Sequence, residues 1–317
     1  MTTTETYLVT GGAGFIGANL IRHLAAPGVQ IRVLDNLSAG RLSDLGDLPV
    51  QFLRGDIRDA AMVNQAVQGV QAVIHLAAHT NVMESVKAPE LDLEINVKGT
   101  FNLLQASIQH RVARFVFAST GGAIVGDVPP PVHEDMAPHP ISPYGASKLA
   151  GEGYCSAFRG AYGLPTISLR FSNIYGPFSY HKGSVIAKFF RQVQLGEPLT
   201  VYGDGEQTRD FLYVGDLCQA IGRALEVDLP FGQAIQLGRG RETSINQLVD
   251  LLRRVVGRDR LPPVNYALAR PGEVLRNFVA TARARQYLDF SPVTDLEEGL
   301  QKTWEWFKGE AGQLSKA

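Results

Sequence analysis

The residues best suited to chemistry stand in "SPYGASKLAGE", where Tyr144 and Lys148 are four apart at the start of a helical pattern. Positions i and i+4 share one helix face, so the phenol and the ammonium can act on a common point. A free tyrosine has a pKa of about 10, too high for a base at neutral pH, and a neighbouring positive charge favours its phenolate. A second pair, Ser119 and Thr120, ends the apolar run "FVFAST" and is followed by Gly121 and Gly122. Hydroxyls at the end of such a run serve either a turn or a ligand lying beyond the sheet.

A third group, Gly11, Gly14 and Gly17 in "YLVTGGAGFIGANLIRHL", forms a G-x-x-G-x-x-G array between a strand pattern and a helix pattern. Such glycines allow a tight turn and close backbone approach to a pyrophosphate, which the free N–H groups and dipole at the helix start attract. Further on, "IRVLDN" ends in Asp35 at the spacing where an acid holds the adenosine ribose hydroxyls. The combination predicts a dinucleotide site. Asp35 repels a 2'-phosphate, so NAD is expected rather than NADP; Arg41 is the nearest cation that would favour the phosphorylated form. An oxidised nicotinamide ring would add the positive charge that Tyr144 needs.

These groups need a frame. The first half alternates strand-like runs ("TYLVT", "QIRVLD", "VQFLRGD", "AVIHLAA", "RFVFAS") with helical patterns near Ile16 to Ala26, Asp59 to Val67 and Asn96 to His110. That alternation predicts the α/β class with a doubly wound parallel sheet of Rossmann type, because parallel strands need crossover connections. The sheet domain is expected over residues 1–171, rejoined by about 212–240 through "YVGDLCQAIGRALE" and "QAIQLG". Residues 172–317, with a helix at about Ser184 to Leu195 and loops rich in glycine and proline, read as a smaller C-terminal α/β substrate-binding domain.

Composition narrows the class. The 317 residues are 45% hydrophobic and 19% charged, which suits a globular protein with a sizeable core. A net charge of −1 supplies no basic field for nucleic acid or an anionic membrane, while small anionic ligands stay open. Cys155 and Cys218 have no metal or redox spacing and read as buried thiols. His75, His79 and His181 form no metal-ligand arrangement, and His75 is expected beside the sheet. With no signal-like start in "MTTTETYLVT" and no long apolar run, a cytoplasmic protein is expected.

In order, "TGGAGFIG", "LDN", "GDIRD", "HLAA", the Asn96–Thr100 stretch, "AST", "SPYGASK", "RFSNIYGP", "GDGEQTRDFLYVGD" and "RPGE" cover nearly the whole chain. Together they resemble the extended short-chain dehydrogenase/reductase superfamily, and within it the NAD-dependent sugar-nucleotide epimerases and dehydratases. The resemblance implies that Gly11, Gly14 and Gly17, with Phe15 and Ile16, bind pyrophosphate; Asp35 and Asn36 the adenosine ribose; Asp56 and Ile57 the adenine. Leu76, Ala77 and Ala78 would line the cofactor, Tyr144 would be the base, and Lys148 would hold the nicotinamide ribose. Thr120 would share the substrate hydroxyl, with Ser119 beside it. Asn173, Arg209 and Arg270 would grip the nucleotide diphosphate, and Glu273 the nucleotide ribose, in a sugar-nucleotide-binding domain. Guanidinium forks suit phosphate oxygens independently of any family.

The residues after Thr120 select among reactions. Dehydratases that the chain resembles carry an Asp-Glu pair there, and related decarboxylases a glutamate; Gly121 and Gly122 can transfer no proton. The expectation is a UDP-hexose 4-epimerase acting on UDP-glucose/UDP-galactose or on UDP-glucuronate/UDP-galacturonate. In that cycle Tyr144 takes the C4 hydroxyl proton, NAD+ accepts the C4 hydride, and the 4-keto sugar turns over before reduction. The glycines would make room for the turning sugar, and Lys182 is a candidate partner for a uronate carboxylate. A keto-sugar reductase, a dehydratase and a non-catalytic NAD-sensing scaffold are the alternatives. Val125 replaces a tyrosine common in relatives. A homodimer is implied, through helices near Asn96 to His110 and Gly145 to Tyr162.

Overall fold

The computed structural model describes residues 5–227, 233–269 and 274–314. Seven strands form its main sheet: β1 (Glu5–Thr10), β2 (Val29–Asp35), β3 (Val50–Arg54), β4 (Ala72–His75), β5 (Arg114–Thr120), β6 (Thr166–Phe171) and β7 (Ala234–Leu237). All pair in parallel, in the order β7-β6-β5-β4-β1-β2-β3. The chain winds outward from β1 to β3 and then returns to β4 on the other side of β1. The carboxyl ends of β1 and β4 therefore flank the point where crossovers leave in opposite directions, the place where such sheets hold ligands. Successive residues such as Leu8 and Val9 are both fully buried, as a sheet covered on both faces requires.

Local sequence explains the helices that matter here. Helix α1 (Phe15–Leu24) starts at the glycine turn, and α2 (Ala60–Val67) is capped by Asp59, whose carboxylate accepts from the Ala61 and Met62 amides. Where a helix was expected from Asn96, a π-helical stretch, Leu93–Lys98, leads into α3 (Gly99–Gln109). Helix α4 (Pro143–Tyr162) begins with a Ser142 cap and Pro143 in its first turn, and ends at Gly163 with φ 72°. That start places Tyr144 in the first turn and Lys148 one turn further in. Helices α2, α3 and α4 cover one face of the sheet around Leu34, Leu103, Phe115 and Phe117.

The other face is covered by α1 and by α6 (Val214–Glu226), which follows α5 (Val185–Leu195) in the chain. A second apolar core gathers α5, α7 (Ile245–Val256) and α8 (Leu296–Leu314), with Phe190 stacked on Trp304 at 5.4 Å. Cys155 and Cys218 are buried free thiols, and burial pushes the Cys218 pKa up to about 12. Among the described residues no helix is long and apolar enough to cross a membrane.

Candidate active site

The turn after β1 carries the glycine array against the end of β4. Gly11 has φ 68°, and a Cβ there would stand 2.7 Å from the Ala77 nitrogen; one on Gly17 would stand 2.5 Å from the Gly11 carbonyl oxygen. Only glycine tolerates both the backbone and the approach. Gly14 caps α1 without a side-chain bond, and the first turn, with Phe15 and Ile16, holds no acid. Its N–H groups thus remain available to an anion. Leu76, Ala77 and Ala78 lie half-buried beside the turn, tied to β1 by the Ala77 N–H donating to Thr10 Oγ1.

Asp35 ends β2 nearly buried, accepting from the Ala13 amide at 3.0 Å and the Leu37 amide at 2.8 Å. Burial raises its pKa against those two bonds, and each carboxylate oxygen keeps a lone pair for a ribose hydroxyl. Asn36 donates to Asp56, whose paired Arg58 guanidinium holds its carboxyl well below the usual range. Ile57 is buried against Gly99. Arg41, the cation that weighed toward NADP, is paired with Asp44 at 2.9 Å. Unpartnered helix-start N–H groups, a nearly buried acid and an apolar wall meet at one switch point, so the residues present fit a dinucleotide without a 2'-phosphate.

One strand over, Thr120 ends β5 close enough to the Tyr144 phenol for its hydroxyl to weigh on the phenol's pKa. Burial and then Asp92 push that phenol up to about 12, with the nearby Thr120 hydroxyl pulling the other way. The expected lowering by a neighbouring ammonium is not found: desolvation dominates, and the only lowering influence is Thr120. Lys148 is almost wholly buried, donates to the Ala118 carbonyl at 2.9 Å and lies 4.9 Å over the Phe117 ring. Its pKa falls to about 8 through burial, opposed by Asp92, Cys155 and Glu152. Asp92, which sequence reasoning missed, is buried with Oδ1 accepting from Asn96 and 3.5 Å from His79 Nδ1. His75 is buried between Thr10 and Thr100 with its pKa lowered to about 3, so it is a neutral strut.

Two expectations need correction. The Ser119 hydroxyl, expected beside the substrate, has its proton committed elsewhere: it donates to Glu152 Oε1 at 2.6 Å, and Glu152 accepts two bonds from Arg170 at 2.9 and 2.7 Å. A charged residue inside "TISLRF" was the clue, since a buried guanidinium demands an acid. The glycines after Thr120 open no room. A Cβ on Gly121 would meet the Gln236 side-chain oxygen at 2.6 Å, and one on Gly122 would run into the Asn277 amide nitrogen. Val125 belongs to a small core with Ile124, Val132 and Val279.

Asn173 and Arg209 are brought together in a cavity of about 200 Å³, with Lys188, Thr200, Tyr202 and Gln207 also on its walls. One Arg209 nitrogen donates to the Thr208 and Val274 carbonyls. Arg270 and Glu273 lie outside the described residues.

The fold and the site define a class: a Rossmann-type protein that sets a dinucleotide turn beside a Thr-Tyr-Lys group. The NAD dependent epimerase/dehydratase family model matches residues 7–238, and the chain belongs to that family, whose cofactor is NAD. It is similar to a putative UDP-glucose 4-epimerase of Methanocaldococcus jannaschii, 37% identical over 95% of this chain and 98% of the relative. A dTDP-glucose 4,6-dehydratase of Streptomyces niveus is 34% identical over 95% of this chain and 92% of the relative. Among solved structures, Thermotoga maritima UDP-glucose 4-epimerase with UDP-glucose superposes with a TM-score of 0.90 at 38% identity, covering 96% of this chain and 99% of the other.

Proposed function

We propose that the chain is a UDP-hexose 4-epimerase that interconverts UDP-glucose and UDP-galactose or the matching uronates. The carrying observation is the gathering of Thr120, the Tyr144 phenol and buried Lys148 at the sheet's carboxyl edge, with amide and not carboxylate groups packed against Gly121 and Gly122. Elimination of water needs a proton donor and acceptor at those places, so their chemistry favours epimerisation over the dehydratase reaction. Bound NAD+ would supply the hydride acceptor at the sugar C4. Tyr144 would take the C4 hydroxyl proton and give it back, Thr120 would orient that hydroxyl, and Lys148 would hold the nicotinamide ribose. Asn173 and Arg209 would hold the nucleotide diphosphate, in a second domain built on the α5, α7 and α8 core. NMR of the purified protein with each UDP-sugar should reveal interconversion without added reductant. Absence of turnover on all four, or accumulation of a 4-keto-6-deoxy product, rejects the reading.

A second copy of the chain is proposed to cover the apolar outer faces of α3 and α4. Phe101, Tyr154 and Phe158 pack edge to face there, with Tyr162 tilted against Phe158 and 63% exposed, and Met83 is 65% exposed in the neighbouring helix Val82–Lys87. Exposed patches of this kind mark association surfaces. Sedimentation velocity should give about twice the 34.4 kDa chain mass, and Tyr154→Glu should shift it to one chain. A wild-type monomer at micromolar concentration overturns this.

A further inference from the structure

The segment after "IYGP" is expected beside the sugar; the structure instead straps it onto the dinucleotide helix. Asn19 of α1 donates both to its own helix, at Phe15 O (2.8 Å), and to the loop, at Pro177 O (2.9 Å). Arg22 of α1 stacks 4.2 Å over Phe178, which also packs against Trp306 of α8 at 5.2 Å. Phe178 sits at φ 64°, a conformation a bulky side chain holds only when its surroundings impose it. Lys182 comes next, its amide donating to Ser179 O at 2.9 Å and its carbonyl accepting from Arg191 at the same distance. This places its ammonium 5.6 Å over the ring of Phe15, the first residue of α1.

The electrostatics around that ammonium are one-sided. Arg22 and Arg191 already donate to carbonyls, at Ala18, Asp44 and Lys182, whereas no carboxylate or carbonyl among the described residues accepts from Lys182 Nζ. The first turn of α1 brings no acid either. Arg22 and Arg191 thus flank the loop that carries Lys182, and Lys182 is half-buried over Phe15, at the helix start whose N–H groups also await an anion. Desolvation lowers the Lys182 pKa, the cost that a bound polyanion would remove.

We propose that Lys182 is a cofactor-retaining residue: its ammonium pairs with the dinucleotide pyrophosphate at the start of α1, and so fastens the Gly176–Lys182 loop over the bound cofactor. The inference rests on the reading of the glycine turn as the NAD site, and its test separates the two. Isothermal titration of cofactor-stripped protein with NAD+, ADP and adenosine should give, for Lys182→Ala, about tenfold weaker NAD+ and ADP binding, the low end for a charged hydrogen bond. Adenosine, which lacks phosphate, should bind both proteins alike. The NAD+ difference should shrink in high salt, and Lys182→Arg should restore affinity. An unchanged unfolding midpoint without ligand establishes that the alanine variant is folded. Equal NAD+ affinity of wild type and Lys182→Ala overturns the proposal while leaving the NAD site intact; a wild type that binds no NAD+ overturns the site itself. If Lys182→Ala leaves NAD+ affinity alone and shifts only the UDP-glucuronate to UDP-glucose preference, the ammonium belongs to a sugar carboxylate and the proposal is equally overturned.

Discussion

Tyr144→Phe should lower kcat by roughly 10²–10⁴-fold, the range for losing a positioned acid–base group. The ring fills the same half-buried space, so the unfolding midpoint and the NAD content of the purified protein should stay close to wild type. The pH profile carries the sharper test. Burial and Asp92 hold the phenol high, up to about 12, so the reactive phenolate is the minor form at neutral pH. Wild-type kcat/KM should therefore rise with pH through the neutral range, and Tyr144→Phe should lose that rising limb. A variant that keeps the limb and most of its rate would show that another group takes the proton.

Glu152→Ala should destabilise the protein by about 3–5 kcal/mol, because it leaves Arg170 as an uncompensated buried charge. Both side chains are under a tenth exposed, at 9% for Glu152 and 7% for Arg170, so solvent screens the pair little. The same change removes the acceptor of the Ser119 hydroxyl, one residue before Thr120. Denaturant unfolding should place Glu152→Ala far below wild type, with Glu152→Leu/Arg170→Met recovering most of the loss, since two apolar side chains remove both charges. A single-variant loss below about 1 kcal/mol would match an exposed pair and contradict the buried one.

What could be read from the sequence was what local physics imposes. Strands covered on both faces are continuous apolar runs, a turn that must bring its backbone against a neighbouring strand needs glycine at Gly11 and Gly17, and the acid Asp35 ends β2. Each of those constraints lies within one short segment. What could not be read depends on which distant segments meet. Ser119 turns away because Arg170 pairs beside it on β6 and Glu152 reaches down from α4. Gly121 and Gly122 are filled by Gln236 and Asn277, more than a hundred residues on. Lys182 resembles a sugar ligand in sequence because nothing in its own segment reveals that Asn19 and Arg22 draw the loop onto α1.

The packing of Gln236 beside Gly121 also bears on the order in which the protein can mature during synthesis. Thr120, Tyr144 and Lys148 leave the ribosome well before β7, which joins the sheet only after α5 and α6 have been made. A nascent chain halted before Ala234 would carry every proposed reactive group while lacking the amide wall beside them. Catalytic competence should thus be among the last properties the growing polypeptide acquires.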